Sequence, residues 1–160
     1  MSKDTLLRAA ETIICRDGLA QITLEAIAAE AGMSKGGLLY HFPTKESLIE
    51  HLVSRCAERW RGDFRAAYEK TAPGPGRMAR GLLEHLTDAD QWTDEQRAMS
   101  AAVFASLGQD PKLLEPLREV SVELRGLLTD DGLPHGVSEV VYFTLCLLYT
   151  SDAADEWIGG

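Results

Sequence analysis

Between Thr23 and Lys45 the chain reads TLEAIAAEAGMSKGGLLYHFPTK, and its hydroxyl and glycine residues stand where helices begin and end. Thr23 can accept from an orphan backbone N–H as an N-cap, and Leu24, Ile27, Ala28 and Ala31 then recur at helical spacing on one short apolar face. Gly32 occupies the position after a helix that needs positive φ, and Ser34 is a second N-cap, so a helix stops and restarts within about four residues. This is helix-turn-helix geometry, the arrangement with which proteins offer a helix to the major groove of DNA. Gly36 and Gly37 in the first turn of the second helix each lower helicity by roughly 1 kcal/mol relative to alanine. Their presence makes sense where backbone and neighbours must approach base edges or phosphates, with close helix packing as the other reading. Lys35 places a cation beside the positive end of the helix dipole, which calls for an anion nearby.

Two flanking helices must position this unit. Residues 3–17 carry Leu6, Leu7, Ala10, Ile13 and Ile14 on one face and close at Asp17-Gly18, which predicts a supporting helix that completes a three-helix core sealed by Leu19, Ile22 and Phe42. After Pro43, Thr44 caps a long helix with Leu48, Leu52, Val53, Cys56, Trp60 and Phe64 in register, running to about Lys70 and joining the head to the rest of the chain. Pro73-Gly74-Pro75-Gly76 is the clearest break. Helices are then predicted from Met78 to Leu86, from Asp94 to Leu107, through Leu113, Leu114, Leu117, Val120, Val122, Leu124, Leu127 and Leu128, and from an N-cap at Ser138 through Val140–Leu148.

The chain has 160 residues, 45% of them apolar, enough to bury a core in one or two small domains. Its net charge of −9 argues against nucleic acid until its distribution is read: residues 1–61 hold eight basic and eight acidic side chains, and residues 62–160 hold eight against seventeen. An acidic body behind a neutral head is tolerable because exposed charges beyond about 10 Å are largely screened at 0.1 M salt. Cys15, Cys56 and Cys146 are odd in number and far apart, as expected of reduced thiols in helix interiors of a cytoplasmic protein. No charged-then-apolar leader opens the chain, and the longest apolar run, Val140–Tyr149, is too short to span a bilayer.

The run Ile22–Ala28 followed by Ser34-Lys35-Gly36-Gly37-Leu38-Leu39-Tyr40-His41-Phe42-Pro43-Thr44-Lys45-Glu46-Ser47-Leu48 resembles the DNA-binding domain of the tetracycline-repressor (TetR/AcrR) family over about residues 3–61. The resemblance implies an all-α chain: a helix-turn-helix domain at residues 1–47 and a helical effector-binding and dimerisation domain at 48–160, joined through the long helix that starts near residue 44. It implies a homodimeric, cytoplasmic transcription repressor that leaves a palindromic double-stranded operator when a small organic ligand binds, with no cofactor, no metal and no membrane. Carried over residue by residue, Lys35, Gly36, Gly37 and Ser34 would face base edges, and Thr23, Tyr40, His41 and Lys45 would contact phosphates. Ser34 divides between capping and DNA, while burial is the competing reading for Tyr40 and His41. The family's second dimerisation helix has no counterpart before residue 160, so the resemblance reads the C-terminal domain as incomplete. The run Cys146–Glu156 resembles a translated sequencing adapter.

In the second part Trp60, Phe64, Tyr68, Trp92, Met99, Phe104, Tyr142 and Phe143 are candidates to line a ligand pocket, each with ordinary core packing as its alternative. The acidic group Asp88, Asp90, Asp94 and Glu95 reads as a solvated loop, and His85 and His135 have no ligand-spaced partners. An enzyme is disfavoured: there is no GxSxG, HExxH or phosphate-binding loop, and Gly32–Gly37 follows a helix instead of a strand. The stronger rival is a helical ligand-binding or interaction protein whose shortened dimer region no longer supports operator binding.

Overall fold

A computed structural model describes residues 2–18, 21–87, 93, 111–134 and 136–146, and every regular element among them is helical. The first is α1 (Lys3–Asp17), capped by Ser2 and buried through Leu6, Leu7, Ala9, Ala10, Ile13 and Ile14. It packs on α2 (Leu24–Glu30), which packs in turn on α3 (Lys35–His41). Ile22, Ile27, Leu38 and Phe42 are fully buried in the head they form, as their sequence positions predict. Leu19 and the helix expected over Asp94–Leu107 lie outside the described residues.

The long connecting helix is α4 (Lys45–Lys70), capped by Thr44 as its sequence requires. Its first half meets α1 through charge: Arg55 donates to Asp4 at 2.7 Å and lies 3.2 Å from Glu11, while Lys3 Nζ stands 3.4 Å from His51 Nε2. Its second half meets α5 (Arg77–Thr87) and α6 (Glu115–Thr129), the latter preceded by a 3-10 turn over Pro111–Leu114. Residues 136–146 form a further helix, α7. No helix among the described residues is long and apolar enough to cross a membrane.

Asp131 ties the loop after α6 to the start of α5. Its carboxylate oxygens accept from the backbone N–H groups of Met78 at 2.9 Å and Ala79 at 3.0 Å, and its carbonyl accepts from Gly76. An N-cap delivered from 53 residues away couples the two loops as well as satisfying the helix end. Asp131→Ala is expected to cost about 1–2 kcal/mol of unfolding free energy, read by urea denaturation. An unchanged midpoint would mean that water caps α5 equally well.

Three expectations need correction. Ser138 does not cap the last helix: the Pro134 carbonyl accepts from both Val137 and Ser138, so α7 is already under way at residue 136 and Ser138 is buried within it. Val122 and Leu127 do not belong to the buried stripe of α6, being 73% and 51% exposed, whereas Leu117, Val120, Leu124 and Leu128 are buried. Of the cysteines, only Cys56 among the described residues is fully buried, and that burial pushes its thiol up to about 12, which leaves it unreactive; Cys15 is exposed.

Candidate nucleic-acid interface

Each of the three helix starts around the reading unit is held by the hydroxyl that heads it. Thr23 Oγ1 accepts from the Ala26 N–H, Ser34 Oγ from the Gly37 N–H and Thr44 Oγ1 from the Ser47 N–H, all at 3.1 Å. Between α2 and α3 the chain makes a Schellman turn: Met33 N–H bonds to the Ala28 carbonyl at 2.8 Å and Gly32 N–H to the Ala29 carbonyl at 3.0 Å. Gly32 has φ of 63°, the left-handed value this turn demands of its C′ residue. Local chemistry therefore sets where α2 stops and α3 starts.

Buried Leu38 and Phe42 fix which side of α3 faces inward, and Lys35, Gly36, Leu39 and Tyr40 line the outward side. Tyr40 is 85% exposed, which removes core packing as its role, and its ring meets His41 edge-on at 5.3 Å between centroids. His41 and Lys45 are half-buried, and Thr23 is exposed at the start of α2. Of the eight residues expected to meet DNA, Lys35, Gly36, Gly37, Tyr40 and His41 lie on α3, Ser34 caps it, Lys45 begins α4 and Thr23 caps α2.

The two glycines differ. A methyl group added at Gly37 would stand 3.0 Å from Met33 Cγ and 3.3 Å from Ser34 Oγ, so close packing accounts for it. One added at Gly36 would meet nothing within 4 Å. No intramolecular contact calls for a glycine at 36, and its exposed backbone offers the close approach that a groove wall or phosphate could use.

The anion that Lys35 calls for is supplied by the chain itself. Glu25 Oε1 of α2 lies 2.5 Å from Lys35 Nζ, and the hydrogen bond from that ammonium holds the Glu25 carboxyl below the usual carboxylate range. Sequence reasoning passed over Glu25, whose signal was an acid in the first turn of α2 and ten residues before Lys35 across a tight turn.

A second candidate site is a 270 Å³ cleft between α4, α5 and α6 lined by Arg61, Phe64, Arg65, Tyr68, Met78, Val120, Glu123, Leu124 and Leu127. Of the residues expected to line a ligand pocket, Phe64 and Tyr68 lie along this cleft, about one turn apart on α4 with Arg61 and Arg65 on the same stripe. Trp60 and Tyr142 pack against the core and are not among its lining residues. Trp92, Met99 and Phe104 lie outside the described residues, while Phe143 is exposed. At the cleft edge Arg61 grips Glu123 with two parallel bonds of 2.8 and 3.0 Å, which lower the Glu123 carboxyl and raise the guanidinium. Arg77 lies over the Tyr68 ring at 4.1 Å. Among the described residues no group of three or more His, Cys, Asp or Glu could hold a metal ion.

Residues 6–52 match the family model described as bacterial regulatory proteins, tetR family. The transcriptional regulator RutR of Escherichia coli (strain K12) is 37% identical over 71 residues, which cover 44% of this chain and 34% of RutR. The chain therefore spans about a third of the length of that curated relative. The crystal structure of SCO7518 from Streptomyces coelicolor A3(2) superposes with a TM-score of 0.77 at 17% identity, over 92% of this chain and 84% of the other. That of the multidrug binding protein EbrR complexed with malachite green gives 0.70 at 22% identity, over 92% and 86%. These two likenesses show a shared fold.

Proposed function

We propose that this chain, whose residues 6–52 match the family model of bacterial regulatory proteins, tetR family, is a sequence-specific DNA-binding transcriptional regulator of that family, a repressor released from a palindromic operator by a small organic effector. The observation that carries this reading is the outward face of α3. It offers a cation at Lys35, open backbone at Gly36 and an unburied phenol at Tyr40, on a helix whose other side is locked by Leu38. Lys35 and the backbone of Gly36 and Gly37 meet base edges, with Ser34 holding that turn together. Thr23, Tyr40, His41 and Lys45 contact phosphates on either side and set register without reading sequence.

A seven-residue reading helix with one lysine supplies too few base contacts for operator selection, so two copies act together. Val137, Val140 and Phe143 stand exposed on α7 and provide an apolar face for the second copy. The effector occupies the cleft beside Phe64 and Tyr68, an assignment supported by its apolar walls and by the malachite green complex of the similarly folded EbrR. The head comprises residues 1–47 and the body 48–160, and α4, bonded to α1 at one end and to α5 and α6 at the other, carries the effector's influence between them.

Selection from a randomised duplex pool tests the reading. The expected product is an inverted repeat whose half-sites are centred about 10–10.5 base pairs apart or a multiple of that. A pool no more enriched than a protein-free control would overturn it.

A further inference from the structure

The ion pair on the reading face is not explained by stability. Glu25 and Lys35 side chains are 61% and 57% exposed, a setting in which an ion pair contributes little. The α2–α3 unit is already held by the Thr23 and Ser34 caps, the Gly32 turn and buried Ile27, Leu38 and Phe42. What the pair does change is the potential offered to a polyanion: a carboxylate repels phosphates and occupies the cation that would attract them. A face built only to hold the phosphate backbone gains nothing from Glu25.

Base edges in the major groove offer what phosphates lack. Guanine displays O6 and N7 acceptors, and its cytosine partner displays the N4 amino donor beside them. An ammonium and a carboxylate held 2.5 Å apart form the complementary donor and acceptor couple. We propose that Glu25 is a specificity-determining residue, accepting from the cytosine N4 amino group of the same G·C pair whose guanine Lys35 contacts. An A·T pair presents adenine N6 and thymine O4 in the opposite order along the groove, together with a methyl group, and so fits the couple poorly. Glu25 also lowers affinity for duplex of any sequence, widening the gap between operator and bulk DNA. The Lys35 hydrogen bond that lowers the carboxyl keeps Glu25 an ionised acceptor at neutral pH. The other acid of α2, Glu30, is engaged by Arg16 at 3.1 Å.

The inference rests on α3 entering the major groove, and its test separates the two. Anisotropy titrations compare wild type, Glu25→Gln and Glu25→Ala on a selected operator, on its single-pair variants and on random duplex. Glu25→Ala is expected to bind random duplex roughly 3- to 10-fold more tightly, with a salt slope steeper by about one. At one G·C position the preference over A·T should fall from roughly 10-fold or more to about 2-fold, the other positions being kept. Glu25→Gln, which keeps an acceptor but loses the charge, should retain part of that preference. Unchanged random-duplex affinity and unchanged base preference in Glu25→Ala would overturn this role while leaving the DNA reading intact. Failure of the wild type to bind any duplex would overturn both.

Discussion

Gly81→Ala is expected to lower the unfolding free energy by about 2 kcal/mol, against the intrinsic preference of a helix for alanine. Gly81 sits inside α5, buried, where α5 crosses α4. A methyl group there would stand 2.6 Å from the Ala67 carbonyl oxygen and 2.7 Å from Thr71 Oγ1, closer than packed atoms tolerate. Backbone cannot swing aside as a side-chain tip can, so the helices must separate, and the Thr71 hydroxyl, which donates to the Ala67 carbonyl at 2.9 Å, loses its geometry. The gain from helix propensity, roughly 1 kcal/mol, is outweighed by overpacking and the damaged hydrogen bond. Gly62, in the interior of α4, would meet nothing within 4 Å, and Gly62→Ala is expected to stabilise by about 0.5–1 kcal/mol. Urea denaturation of both variants checks the opposite signs. A Gly81→Ala protein as stable as wild type would mean that α4 and α5 do not cross this closely.

Lys35→Ala is expected to cost about 1–3 kcal/mol of binding free energy on the selected operator, roughly 5- to 150-fold in affinity, and to relax the preference at one base pair. The loss is concentrated on the cognate sequence because on bulk duplex Lys35 is already balanced by Glu25. Lys45 should behave differently. Lys45→Ala should weaken every sequence alike and reduce the salt slope by about one, as expected of a phosphate contact. Base-resolved competition at two salt concentrations distinguishes the two residues. Equal losses on all sequences from both variants would contradict the assignment of Lys35 to base edges.

What could be read from the sequence was what neighbouring residues decide among themselves. Thr23, Ser34 and Thr44 head helices through bonds to N–H groups three residues away, and Gly32 stands where a Schellman turn needs left-handed φ. The buried stripes of α1 and the first half of α4 followed from period alone. Where distant contacts decide, period and propensity were insufficient. Val122 and Leu127 share the apolarity of Leu124 but stand exposed, Leu127 along the open cleft. Ser138 reads as a cap, yet the Pro134 carbonyl starts the helix before it. Gly62 and Gly81 are indistinguishable as helix-interior glycines until the α4–α5 crossing is known. At the site, the dipole argument sought an anion for Lys35 and pointed outward to DNA, whereas Glu25 supplies it across the turn. The Arg61–Glu123 grip at the cleft joins residues 62 positions apart, beyond any local signal.

The central claim is that the outward face of α3 reads DNA sequence. Its most direct test is the affinity of the 160-residue chain for a duplex recovered by selection, set against a scrambled duplex of the same length and composition at about 0.15 M salt. At least a thousandfold preference for the selected duplex, reduced by Lys35→Ala, is the predicted result. Equal affinity for the two duplexes, or a preference that survives the loss of Lys35 unchanged, would contradict it.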